Sequence, residues 1–276
     1  MSFIYIYDKK TGKKYRQTVT SLDSLYIPIL DISSTSGSES SGGSDLPVSD
    51  FNPASVSNLI LWFEADNLSG LVEAESVSTW PNLGSLSESV TLNQESSSRQ
   101  PSYNTDGMNG YPGVQFDGVD DYMKTDVTFN HVNGYTMYVV FKPLSTNPIG
   151  TTETIAVATR GGATNVITLN SSNQKISVGD ATTTTSSAEF TNDVYIVTIH
   201  QNRSPDLWQI FINDVQVGES AQNYHMLGAT VWLGIRDNIL GPSNCLIGAV
   251  YFYSGFLNQT QRDSVYAHLS TKYSVV

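Results

Sequence analysis

Ten short runs of apolar and β-branched residues, bounded by Gly, Pro, Asn and Asp, recur between residue 58 and the C-terminal region. They are "NLILWFEA", "YPGVQFDG", "YTMYVVFKP", "ETIAVATR", "NVITLN", "KISVGD", "DVYIVTIHQN", "LWQIFINDVQVGE", "TVWLGIRD" and "CLIGAVYFYSG". This punctuation implies an all-β sandwich or barrel. Within "WQIFINDVQV" the dipeptide Asn213–Asp214 is a turn signal, so that run predicts a hairpin. Composition agrees: aromatic residues make up 11% of the chain and charged residues only 14%, with 15 tyrosines. Aromatic and β-branched residues suit pleated surfaces.

One segment breaks the pattern. "LNQTQRDSVYAHLSTKY" places Val265, Tyr266, Leu269 and Tyr273 on one helical stripe. Asn258 with Gln261 three residues on approaches a capping box, so a single terminal helix is predicted to lie on the sandwich. At the other end, residues 1–32 hold "FIYIY", "KYRQTVT" and "LYIPIL", with a Gly-bearing turn after the first. They predict a small β-hairpin arm. Residues 33–45, "SSTSGSESSGGSD", have a tether's composition. The expected organisation is therefore an arm (1–32), a linker (33–45) and a β domain (46–276).

The 276-residue chain carries a net charge of −12, yet residues 8–16 contribute +4, leaving −16 elsewhere. A body that acidic repels nucleic acid and anionic lipid. The basic arm suits an acidic partner. The single cysteine, Cys245, excludes an intrachain disulfide and reads as a small buried apolar group. The start, "MSFIYIYDKK", lacks the pattern of a secretory signal. No run reaches the ~18 apolar residues of a membrane helix, so no membrane insertion is expected.

"VQFDGVDDYMKTD" gathers Asp117, Asp120, Asp121 and Asp126 around Gly118. An EF-hand loop needs a Glu at its twelfth position, which counted from Asp117 is Thr128. That pattern fails, but Asp117, Asp120 and Asp121 remain the candidate ligands for calcium in another geometry. The local alternative is a turn: Phe116 ends a strand, Asp117–Gly118 bends the chain, and Tyr122 begins the next strand. Asp120 or Asp121 would then accept bonds from backbone amides. No other cofactor is expected.

"LILWFEADNL", "VSTWPNLGS", "RQPSYNTDGMNGYPGVQFDGVDDYM", "YTMYVVFKP" and "IGAVYFYSGFLNQTQRDSVYAHLSTKY" occur in that order over residues 55–276. The series resembles the concanavalin A-like lectin/glucanase superfamily, specifically the laminin-G-like jelly-roll modules of phage and bacterial surface proteins. The resemblance implies a two-sheet antiparallel jelly-roll sandwich. It implies no ligand, because one fold hosts many functions. In the related glucanases the catalytic carboxylates stand as Glu-x-Asp-x-x-Glu. Here Glu64 and Asp66 would share a strand face, but position 69 is Ser, so the acid/base carboxylate that glycoside hydrolysis needs is missing.

Other catalytic constellations are also missing. No Ser sits in a Gly-x-Ser-x-Gly elbow. His131, His200, His225 and His268 are dispersed, and with one Cys they offer no zinc set. "RGGATN" lacks the Lys-Ser/Thr of a phosphate loop. Trp62, Trp80, Trp208 and Trp232 are expected in the core. Sugar binding calls for an aromatic face with amide and carboxylate partners on loops. The loop candidates are Tyr103 and Tyr111 near Asn104, Asp106 and Asn109, and Tyr224 near Asn223.

These readings predict a non-enzymatic virion structural or surface-display protein. It would be anchored to other virion or surface proteins through residues 1–32, and would present a lectin-like head to host-surface glycans at the particle surface. The alternative is a carbohydrate-binding module of a bacterial surface protein; a glycoside hydrolase of the glucanase branch ranks behind both. A symmetric homo-oligomer is compatible with either role, although no heptad supplies a stalk.

Overall fold

The computed structural model describes residues 2–8, 13–19, 51–86, 90–131, 134–144, 152–160, 163–170, 175–179, 184–204, 206–220, 226–235 and 241–275. The chain divides into two compact units, Met1–Leu46 and Pro47–Val276. In the first, strands β1 (Ser2–Asp8) and β2 (Lys13–Val19) pair antiparallel, Ser2 opposite Val19 and Asp8 opposite Lys13. These are the first two expected strand runs. The turn between them, the third run and the Ser/Gly-rich segment lie outside the described residues.

The second unit contains β3 (Leu59–Glu64), β4 (Thr79–Pro81), β5 (Thr91–Asn93), β6 (Ser102–Met108), β7 (Tyr111–Asp117), β8 (Met123–Thr125), β9 (Phe129–His131) and β10 (Gly134–Pro143). It continues with β11 (Thr152–Arg160), β12 (Ala163–Asn170), β13 (Lys175–Gly179), β14 (Thr184–Glu189), β15 (Tyr195–Arg203), β16 (Asp206–Ile212), β17 (Val215–Ser220), β18 (Met226–Leu233), β19 (Asn244–Tyr253) and helix α1 (Gln259–Lys272). Two antiparallel sheets result. The first runs β17-β16-β15-β10-β19-β7-β6, with β3 also on β19; the second runs β14-β13-β12-β11-β18-β8-β5-β4, with β9 also on β18. The architecture is the expected all-β sandwich with one C-terminal helix.

Strand alternation explains two separate cores. Between the sheets pack Phe63, Phe116, Val139, Phe141, Leu233 and Phe252, all fully buried. On the outer face of the first sheet, Tyr138, Val140, Tyr251 and Tyr253 pack with Val265, Leu269 and Tyr273 of the C-terminal segment. Successive residues of β10 and β19 therefore enter opposite cores. That is why "YTMYVVF" and "LIGAVYFY" are continuous apolar runs rather than alternating ones: both faces of these strands are dry. Each such side chain contributes about 1.5–3 kcal/mol relative to exposure. Cys245 is fully buried, as its apolar neighbours predict, and burial pushes its thiol up to about 12.

Local signals act where the sequence places them. The amide of Gln261 donates to Asn258 Oδ1 (3.0 Å) and the amide of Asn258 donates to Gln261 Oε1 (3.0 Å), completing the predicted capping box. Asn213 and Asp214 have φ of 49° and 62°, the left-handed pair that suits a two-residue hairpin turn between β16 and β17. In "WPNLGS", Asn82 Oδ1 accepts from the amides of Trp62 (2.7 Å) and Gly84 (2.9 Å), so this segment satisfies the backbone of β3.

Candidate functional site

The acidic stretch turns a corner between the two sheets, since β7 belongs to the first and β8 to the second. Gly118 takes φ 78° at the bend. Asp117 supplies the turn acceptor, taking the amides of Val119 (2.8 Å) and Asp120 (3.3 Å) on Oδ1. The expectation that Asp120 or Asp121 would accept backbone amides holds for Asp121 but missed Asp117, which opens the bend and has the shorter reach to the amides that follow it. Asp121 bonds backwards, Oδ2 accepting from the amide of Asp117 (3.1 Å). Its side chain is drawn inward and the residue is only 7% exposed. A Cβ on Gly234 would lie 2.2 Å from Phe116 Cδ1 and 2.7 Å from the carbonyl oxygen of Asp121, so a residue without a side chain is needed behind the corner.

Asp117, Asp120 and Asp121 each bring a carboxylate oxygen within 4.8 Å of the others. Burial first, and then the neighbouring charge of Asp117, push Asp121 up to about 7. Arg99 Nε partly offsets the cluster, 3.5 Å from Asp120 Oδ2. Three carboxylates supply about half of the 6–8 oxygens that calcium takes, and two of them already serve backbone amides. The group is a corner first; a cation held there would draw its remaining ligands from water.

Beyond the corner, alternation builds a surface. In "DYMKTD", Met123 and Thr125 point inward and are buried, while Tyr122, Lys124 and Asp126 project from the outer face of the second sheet. Lys124 stands opposite Asn93 on β5 and opposite Trp232 on β18, so these three side chains form one cross-strand row. Here lies a cavity of about 290 Å³ lined by Asn93, Gln94, Glu95, Ser96, Tyr122, Lys124 and Asp126. The Tyr122 ring stacks on Trp232, with centroids 5.5 Å apart and planes 28° apart. Lys124 Nζ sits 5.3 Å from the Trp232 ring centre. Asn93 Nδ2 donates to Asp126 Oδ2 (2.6 Å), and Gln94 Nε2 donates to the Tyr122 carbonyl (3.1 Å). The walls are thus fixed by internal bonds before any ligand arrives.

The candidates chosen from the sequence fall elsewhere. Tyr103 is not on a loop: it lies in β6, 8% exposed, within the inter-sheet core, where burial and Asp66 raise its phenol. Asn104 Oδ1 accepts from the amides of Gly107 (2.6 Å) and Asp106 (3.3 Å), and its Nδ2 donates to Glu73 (3.2 Å). Asp106 is exposed at the same hairpin. Asn109 Nδ2 donates to the Tyr273 carbonyl (2.8 Å), and Tyr111 meets the Tyr273 ring edge-on at 5.7 Å. The β6–β7 hairpin thus brings Asn109 and Tyr111 to the residue that follows α1, while Asn104 bonds within the hairpin and to Glu73. Asn223 and Tyr224 lie outside the described residues. Of the tryptophans, Trp80 and Trp208 are core, whereas Trp62 and Trp232 are half-buried. The signal for the cleft was the alternation around Tyr122, which four nearby carboxylates masked.

A second polar constellation lies under α1. Lys272 Nζ pairs with Glu64 Oε1 (3.1 Å) and Asp66 Oδ2 (2.7 Å), and the Tyr251 hydroxyl donates to Glu64 Oε1. Asp66 sits in a 3-10 turn (Ala65–Asn67), not on the strand with Glu64 as expected. A phenol on a carboxylate is the arrangement of an activated nucleophile. Here Tyr251 is fully buried and Glu64 only 5% exposed, so no substrate reaches either. The cluster fastens the helix.

No protein-family model matches the chain, and no curated protein matches it. Solved structures do. A Trypanosoma rangeli sialidase in complex with sialic acid aligns at TM-score 0.54 and 12% identity over 79% of this chain. The same enzyme in complex with 2,3-difluorosialic acid aligns at TM-score 0.57 and 13% identity over 78%. The botulinum neurotoxin serotype G binding domain gives TM-score 0.53 and 14% identity over 78%. The chain spans 33% of the sialidase chains and 52% of the toxin domain. At these identities the likeness is one of fold. It corrects the expectation of a non-enzymatic protein: sialidases are enzymes, so a fold of this kind occurs within enzyme chains and cannot by itself assign a protein to the non-enzymatic class. The expected virion role draws no support from these neighbours.

Proposed function

We propose that residues 47–276 form a glycan-recognition domain of the concanavalin A-like kind, with the sugar held in the cleft beside Tyr122. One observation carries the reading: a ring braced by Trp232 shares a single cavity with two amides, two carboxylates and an ammonium. Sugars offer apolar C–H faces and directional hydroxyls, and such mixed walls suit both. Fold neighbours solved with sialic acid, or described as a receptor-binding domain, are consistent with it. A glycan array probed with the full-length chain tests the proposal. Binding that Tyr122→Ala weakens at least about tenfold is expected; absence of binding to every glycan at millimolar concentration refutes it.

For residues 1–32 we propose an attachment role, joined through the 33–45 tether to the surface of a particle or cell. A two-stranded pair is marginal alone, and its outer edges suit strand addition by a partner. Deleting residues 1–45 should leave glycan binding intact while abolishing incorporation into the assembly. Retained incorporation would contradict the role.

A further inference from the structure

We infer that the cleft selects uncharged oligosaccharides and rejects acidic ones; this rests on the glycan reading above. The cleft walls carry two carboxylates, Glu95 and Asp126, and a single ammonium, Lys124. Among the described residues, Asn93 Oδ1, Asp126 Oδ1 and both Glu95 oxygens make no hydrogen bond; the Asn93 amide gives its two N–H groups to Thr91 Oγ1 and Asp126 Oδ2, and the Gln94 amide gives one of its two to the Tyr122 carbonyl. Gln94 Oε1 is likewise spent, on the amide of Ser96 (3.0 Å). The ammonium of Lys124, engaged by the Trp232 ring, is the one cationic donor of the lining.

Three of those four oxygens belong to the carboxylates of Glu95 and Asp126, so a ligand that seats against them must bring O–H or N–H groups. Sugar hydroxyls meet that need because each donates as well as accepts. A carboxylate on the ligand only accepts. It would face Glu95 and Asp126 across a small cavity in a molecule of net charge −12. Lys124 offsets one of those two charges, leaving the walls at −1. Like charges brought together in this way discriminate strongly between partners. The acidic corner just before Tyr122 adds to the same field. The preference thus runs opposite to the sialic acid present in one fold neighbour.

The test is a matched comparison by calorimetry on the full-length chain. Lactose and 3′-sialyllactose form one pair; a glucose trisaccharide and its glucuronic acid-terminated counterpart form another. The expected result is that the acidic member of a bound pair binds at least about tenfold more weakly at low salt, with the gap shrinking as salt screens it. Glu95→Gln should narrow the neutral-to-acidic ratio several-fold, and so should Asp126→Asn. Equal or tighter binding of the acidic member overturns the inference and leaves the glycan reading standing. A ratio unmoved by both variants also overturns it, since the carboxylates would then not set the choice. If neither panel binds, and the array is silent as well, the glycan reading itself fails and this inference falls with it.

Discussion

The outer faces of the two sheets are built to opposite ends. On the first sheet, α1 covers a second core; beneath it Lys272 pairs with Glu64 and Asp66, and Arg262 lies against the His200 ring (Nη1 to Nδ1, 2.9 Å), whose pKa its charge helps to lower. On the second, Tyr122, Lys124 and Asp126 stand around a cavity, with acceptor oxygens left over. Both faces are rich in aromatic and charged groups. What separates them is whether the polar groups left over are buried or open to a ligand. On the first sheet what is left over, such as Nε2 of His200 and Nε of Arg262, is buried beyond a ligand's reach; on the second the left-over acceptors open into the cavity.

The contrast can be broken at its strongest point first. Lys272→Ala strands Glu64 in a dry site, and removing one partner of a buried pair costs about 3–5 kcal/mol. Chemical denaturation should show that loss. A loss below about 1 kcal/mol would mean that the pair is solvated and that the face under α1 is not dry.

The corner gives the next effect, and its sign can be worked out. Asp121 is raised to about 7 in the folded chain, against about 3.9 for an unperturbed Asp. Between those values the folded state holds the proton and the unfolded state does not, so stability falls as pH rises through 7. Asp121→Asn should therefore stabilise the protein by about 1–3 kcal/mol at pH 8, with the gain vanishing as pH approaches 4. His200 acts in the other direction. Burial, then Arg262, lower it to about 4, so its contribution is intact above about 6.5 and is lost as pH falls toward 4. Thermal melts of both proteins from pH 4 to 8 separate the two terms. A pH-independent difference between variant and parent would contradict the assignment to Asp121.

Smaller effects sharpen the open face. Tyr122→Ala should cost only about 1 kcal/mol of stability, the worth of one stacked pair, while glycan affinity falls at least about tenfold. A large stability loss would instead make Tyr122 part of the core. Smallest of all, Arg99→Ala removes an exposed ion pair and should change stability by less than about 1 kcal/mol, measured at low salt.

The sequence displayed the covered face far better than the open one. Helix α1, its capping box and the hairpin at Asn213–Asp214 depend on residues within a few positions of one another, and such signals survive without tertiary information. The cleft does not. Its walls come from β5, β8 and the Trp232 row of β18, and only the register Asn93–Lys124–Trp232 brings them together. The β6–β7 hairpin misled for the same reason. Its Tyr and Asn residues have the composition of a sugar-binding loop, but Tyr103 enters the inter-sheet core, Asn104 bonds its own hairpin, and Tyr273 just after α1 engages Asn109 and Tyr111. Asp117 was legible as a turn residue; that the turn passes from one sheet to the other was not.

The most direct test of the central claim is an amide chemical-shift titration of the full-length chain with the strongest neutral oligosaccharide on the array. Saturable shifts confined to Asn93–Ser96, Tyr122–Asp126 and Trp232 are the predicted result. Shifts centred on the β6–β7 hairpin or on α1, with residues 93 and 122–126 unmoved, would place recognition on the other face and contradict the account.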